Sequence, residues 1–179
     1  MRTGRRVNNR IRDDRGLSLV ELIIVITIMM IMTGLVALGI SMMYSRDTNY
    51  VAVRIDDAFT EARTMAMSKE GEVTYTLHVV SEPNKSTVVI NRAAGATPDV
   101  KTIALDKDVS ISVKGDEDDT PMAGDFVVVF DKAKGCVKSV NGADPDKGVY
   151  TITVTSNKNP SKAKTVTLVT TTGRHYTEK

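Results

Sequence analysis

From Leu22 to Ser45 the chain carries 24 residues without a charge. At 1.5 Å per residue that run makes a helix of about 36 Å, and about 20 apolar residues span the hydrocarbon of a bilayer. The feature that turns this run from a plain anchor into something more specific is Glu21, at its very start. A carboxylate without a partner at the centre of a membrane helix costs about 3 kcal/mol, and ionisable residues in such segments mark function. Glu21 is therefore a functional residue in search of a counter-charge.

The flanks give the orientation. Residues 1–15 hold Arg2, Arg5, Arg6, Arg10, Arg12 and Arg15 against Asp13 and Asp14. A positive end of this kind stays in the cytoplasm. Gly16 then separates the basic leader from the apolar run. A secretory signal peptide is cut after an apolar region of 7–15 residues, beside small residues. Here the run is longer, and Ala37-Leu38-Gly39, the nearest small-x-small stretch, lies inside it. The only cysteine is Cys136, so there is no lipobox and no internal disulfide.

Gly16-Leu17-Ser18-Leu19-Val20-Glu21-Leu22-Ile23-Ile24-Val25-Ile26 resembles the type III signal of type IV prepilins and pseudopilins. In that family a membrane aspartic peptidase cuts after the glycine on the cytoplasmic side and methylates the new amine. The resemblance implies a cut between Gly16 and Leu17, an N-methylated Leu17, and Glu21 as fifth residue of the mature chain. There it is the counter-charge of a neighbouring subunit's terminal amine during assembly. Leucine at position 17 departs from the commoner phenylalanine. The implied partners are prepilin peptidase, other pilin or pseudopilin subunits, the cytoplasmic membrane and the assembly platform. The implied location is that membrane, with the C-terminal part outside, and then an extracellular or periplasmic filament. The competing reading is an uncut single-pass protein whose exported β-rich domain binds a ligand.

Composition bounds the rest. The chain has 179 residues, one anchor and one domain's worth. It has no Trp and only 4% aromatics, so a soluble core rests on Val, Ile, Leu and a few Tyr and Phe. Residues 1–16 account for six of the 24 basic and two of the 22 acidic residues, so the remainder has a net charge of about −2. Bulk charge makes no case for nucleic-acid binding.

The expected fold class is α+β: a long N-terminal helix packed on one or two antiparallel β-sheets. The organisation is a cleaved leader over 1–16, a membrane half of the helix over 17–45, an amphipathic half over 46–70, and a β-rich domain over 71–179. Val51, Ile55, Ala58, Phe59, Ala62, Met65 and Ala66 recur at three and four residues, which lays one helix face on a domain. Gly71 is a stop signal. Gly34 and Gly39 weaken the helix locally or permit close packing, and Thr33, Ala37 and Ser41 form a small-residue stripe beside them. Alternation and turn residues place strands at Val73–Val80, Thr87–Asn91, Val100–Leu105, Val109–Val113, Phe126–Phe130, Cys136–Val140, Val149–Thr155 and Thr165–Thr171.

A second resemblance rests on shorter signals. Ala62-Arg63, Phe130-Asp131 followed by Gly135, and Gly173-Arg174 look like those of H-type minor pseudopilins. The acidic stretch Asp116-Glu117-Asp118-Asp119, with Asp125, has oxygen ligands that suit calcium. It lacks the ligand order and glycine of an EF-hand, and reads as a solvated loop. His78 in a strand and His175 in the tail have no metal-ligand companion. No metal site, no cofactor and no catalytic residue are expected, and the chain is not expected to be an enzyme.

Overall fold

The computed structural model describes residues 18–68, 72–79, 86–93, 99–105, 107–115, 121–122, 124–145 and 148–178. The leader, Gly16 and Leu17, the helix stop at Gly71 and the acidic stretch 116–119 lie outside them. The chain divides into two compact units, Met1–Gly39 and Ile40–Lys179. Helix α1 covers Leu19–Ser68, within two residues of the expected span at both ends.

In the second unit α1 buries Thr48, Val51, Ala52, Ile55, Ala58, Phe59, Ala62 and Ala66. These recur at one, three and four residues, the period of a single helix face. Met65 packs partly buried against the same cluster. The strands that receive this face are β1 Glu72–His78, β2 Thr87–Ala93, β3 Asp99–Ala104, β4 Val109–Gly115, β5 Phe126–Phe130, β6 Val137–Val140, β7 Val149–Ser156, β8 Ala163–Val169 and β9 Arg174–Thr177. They form a five-stranded sheet, β3-β2-β1-β5-β6, and a four-stranded sheet, β4-β7-β8-β9. Every pairing is antiparallel.

Register turns alternation into rows. Opposed residues in antiparallel strands share a sheet face. Tyr75 opposes Ile90 and Val128, Val73 opposes Arg92 and Phe130, and Leu77 opposes Val88 and Phe126. The apolar members are buried in one cluster with Phe59 of α1. The Phe59 ring stacks on Tyr75 with centroids 4.2 Å apart and meets Phe130 edge-on at 6.4 Å. At the sheet edge Lys101, opposite Ile90, reaches Glu61 of α1 at 2.6 Å. The second sheet adds Ile111, Val113, Ile152, Val154, Val166 and Leu168 to the same core. Phe126 and Tyr150, with centroids 5.4 Å apart, join the two sheets.

Tyr75 is fully buried, and its hydroxyl has no hydrogen-bond partner among the described residues. Burial holds its ionisation well above the ordinary value of 10.0. An acid whose folded pKa is raised keeps its stabilising effect below the unfolded pKa and loses it as pH rises beyond. Stability should therefore fall as pH climbs past about 10, by about 1.4 kcal/mol per pH unit from this proton, and the melting temperature with it. Tyr75→Phe should remove that component of the alkaline slope while leaving the neutral-pH melt equal or higher. A thermal melt series across alkaline pH checks both.

The short residue pairs of the second resemblance meet at one junction. Arg63 donates from Nε to the Gly135 carbonyl at 2.9 Å and from Nη2 to the Thr172 carbonyl at 3.1 Å. Asp131 organises the β5–β6 turn: its Oδ1 accepts the N–H groups of Ala133 and Lys134, and its carbonyl accepts that of Gly135. Those N–H groups, that of Lys134 foremost, hold the Asp131 carboxyl below the usual carboxylate range. Gly135 and Gly173 have φ of 63° and 62°. A Cβ on Gly173 would collide with the Gly135 carbonyl oxygen. Gly173→Ala combines a left-handed backbone with that collision and should destabilise the domain by about 3 kcal/mol. A chemical-denaturation midpoint equal to wild type would contradict this junction.

Eight of the nine strands lie where alternation places them, with ends shifted by a few residues. The exception is β9. Arg174 to Thr177 was expected as tail, but it pairs with β8, Tyr176 opposite Thr167 and His175 opposite Leu168. His175 is therefore a strand residue, with Nε2 2.8 Å from the Thr60 hydroxyl of α1.

Candidate processing and assembly segment

The N-terminal part of α1 is an exposed apolar rod. Its most apolar stretch has a mean hydropathy of 2.7, with none of it buried in the fold, and it is long and apolar enough to cross a membrane. Leu19, Ile23, Met30, Leu35 and Leu38 are all more than half exposed. Such exposure in water would forfeit burial of about 1.5–3 kcal/mol per large apolar side chain. A lipid environment removes the penalty only if polar groups are satisfied within the helix. Thr27 and Thr33 meet that condition: they donate their hydroxyls to the carbonyls of Ile23 and Met29, each at 2.7 Å. Neither bond was anticipated from sequence, although a lone threonine in an apolar helix signals this back-bond. Gly34 leaves a groove of about 440 Å³ on the helix surface, lined by Ile26, Met29, Met30, Thr33 and Ala37.

Glu21 lies in the first turn of α1. The Leu22 N–H donates to the Ser18 carbonyl at 3.0 Å, so Ser18 stands at the cap position and Glu21 at the third helical residue. Ser18-Leu19-Val20-Glu21 has the spacing of a capping box. A carboxylate there faces the positive end of the helix dipole, an interaction of about 0.3–1 kcal/mol. The sequence signal for the cap is Ser18 three residues before Glu21. Glu21 is exposed in the isolated chain, open to a partner from another molecule.

The other candidates from sequence do not converge. His78 and Asp125 pair with each other at 2.8 Å, across the ends of β1 and β5. His175 is held by Thr60 and lies beside the Phe59 ring. Cys136 is free and half-buried. Among the described residues no group of three or more His, Cys, Asp or Glu gathers around one point.

An exposed apolar helix that opens on one acid and continues into an α+β domain fits a protein anchored through its N-terminus. The kind of anchor follows from comparison: residues 11–42 match the family model described as the prokaryotic N-terminal methylation motif. The match takes in the end of the leader and the apolar helix, and none of the β-rich domain. It supports a type IV pilin-like signal, which implies processing by prepilin peptidase and assembly with other pilin subunits in the membrane. No curated protein and no solved structure matches the chain.

Proposed function

We propose that this chain is a structural subunit of a type IV pilus, competence pilus or type II secretion pseudopilus, cut after Gly16, N-methylated on Leu17 and assembled through α1. The observation that carries the reading is Glu21. It is the single charge at the head of an exposed apolar helix, within the methylation-motif match. In a growing filament the terminal amine of an incoming subunit enters an apolar setting, where an isolated charge is costly and a paired one is tolerated. A Glu21 carboxylate on a neighbouring helix supplies the pair. The role is mechanical rather than catalytic, with the β-rich domain facing outward. Placement among minor, H-type pseudopilin-like subunits is proposed on the residue pairs at the Arg63 junction alone.

Processing gives the direct test. The peptidase must draw an extended backbone close to its aspartates, and Gly16 has no side chain to obstruct it. Gly16→Val should leave a longer, unmethylated chain in the membrane fraction. A variant that matures to the wild-type mass would place the cut elsewhere.

A further inference from the structure

The second unit contains the last turns of the apolar run, and they set where its surface meets the membrane. Ile40, Met42 and Met43 belong to that unit and are 45%, 68% and 53% exposed. Counted from Leu22, the roughly 20 residues that span hydrocarbon end near Ser41. Met43 to Tyr50 then rises through the headgroup layer. There the composition changes to Tyr44, Arg46 and Tyr50, the residue types that settle at a membrane–water boundary.

A pocket of about 470 Å³ opens at this level, lined by Met43, Arg46, Asp47, Tyr50 and Lys107. Four of its five residues come from α1. Lys107 comes from the segment between β3 and β4, so the β-domain contributes to it directly. The Lys107 Nζ lies 3.4 Å from Asp47 Oδ1 and 5.6 Å from the Tyr50 ring centroid. Arg54 stacks on Tyr50 at 5.2 Å and donates to its hydroxyl at 3.1 Å, which holds the ring as a wall. Asp47 balances Lys107. Arg46 has no ion-pair partner among the described residues, so the pocket carries one unbalanced positive charge.

We propose that this pocket holds the phosphodiester headgroup of an anionic phospholipid in the outer leaflet of the cytoplasmic membrane. The inference rests on the membrane anchoring proposed above. Arg46 and Lys107 face the phosphate, Tyr50 walls the glycerol, and the exposed Met42–Met43 turn continues along the acyl chains. A free phosphate would use the cations but leave Met43 unmatched and meet the Asp47 carboxylate without recompense. A lipid at this depth uses both the charged rim and the apolar floor. The bound headgroup ties Lys107 of the β-domain to the membrane surface.

The test uses the full chain in nanodiscs of equal phosphatidylglycerol and phosphatidylcholine, released into native mass spectrometry. Wild type should retain phosphatidylglycerol in preference to phosphatidylcholine. Each cation near an anionic surface contributes a factor of about five. Arg46→Gln should reduce the preference by about that factor, and Arg46→Gln with Lys107→Gln should abolish it. Lys158→Gln, outside the pocket, should retain it. Arg46 makes no ion pair, so its single variant tests the site without threatening the fold. Glycerol 3-phosphate added to the detergent-solubilised chain should give no adduct, and an adduct there would assign the pocket to a free anion. A preference unchanged in the double variant would overturn the proposal while leaving anchoring intact. A chain absent from the lipid fraction would overturn both.

Discussion

Glu21→Ala should be cleaved and methylated like wild type and yet be missing from sheared filaments. In the proposed processing, cleavage depends on Gly16 and the basic leader, and neither is altered. In the proposed role, assembly depends on a counter-charge for a terminal amine entering a helix-lined interior. Removing one partner of a buried ion pair is destabilising by about 3–5 kcal/mol, because the remaining charge stays uncompensated. At 1.4 kcal/mol per factor of ten, that is a loss of incorporation by about a hundredfold or more. The helix itself should survive: Glu21 interacts with the helix end by no more than about 1 kcal/mol. Glu21→Val, larger and apolar, should behave the same way, which separates charge from packing. The measurement is quantitative immunoblotting of filament and membrane fractions in cells without the wild-type copy. Equal incorporation of both variants would remove the charge pair from the account.

The second large effect divides the chain at its helix. Residues 46–179 should form a soluble, cooperatively melting domain, whereas a chain starting at Glu72 should aggregate. The longer form keeps Val51, Ile55 and Phe59, all fully buried against the sheets. At about 1.5–3 kcal/mol each, these three residues alone contribute roughly 5–9 kcal/mol. That is the scale of a small domain's whole stability, about 5–15 kcal/mol. Without α1 the rows through Val73, Tyr75 and Leu77 would face water on the side where Phe59 now sits. Size-exclusion chromatography and thermal melts of the two forms decide the matter. A monomeric chain starting at Glu72 with the melt of the longer form would refute the packing of α1 on the sheets.

What was legible in the sequence followed from periodicity. The amphipathic half of α1 and the strands from β1 to β8 each carry enough residues for a three-to-four or a two-residue repeat to show. β9 is no shorter than β6, but where β6 carries Val137 and Val140 it has a single large apolar residue, Tyr176, and it forms on the open edge of β8. The division into two sheets was open for a different reason. β1 pairs with β5 across three intervening strands, and nothing local to either strand encodes that partner. The same distance hid the His78–Asp125 pair, 47 residues apart, and the Arg63 bonds to Gly135 and Thr172. Those bonds give the Gly135 and Gly173 signals a physical basis: both glycines have a left-handed backbone, and a Cβ on Gly173 would collide with the Gly135 carbonyl. The candidate processing segment was legible because its chemistry is linear, a glycine, an acid five residues on and an apolar run. Gly16 and Leu17 themselves lie outside the described residues, so their roles rest on that linear pattern.

The intact mass of the chain extracted from membranes tests the central claim most directly. A processed subunit begins at Leu17 and carries one added methyl on its terminal amine. The same spectrum should show the leader lost at Gly16 and nowhere else. A chain that retains Met1–Gly16, or one that begins at Leu17 without the methyl, would contradict the assignment of this N-terminus as a processed and methylated assembly signal.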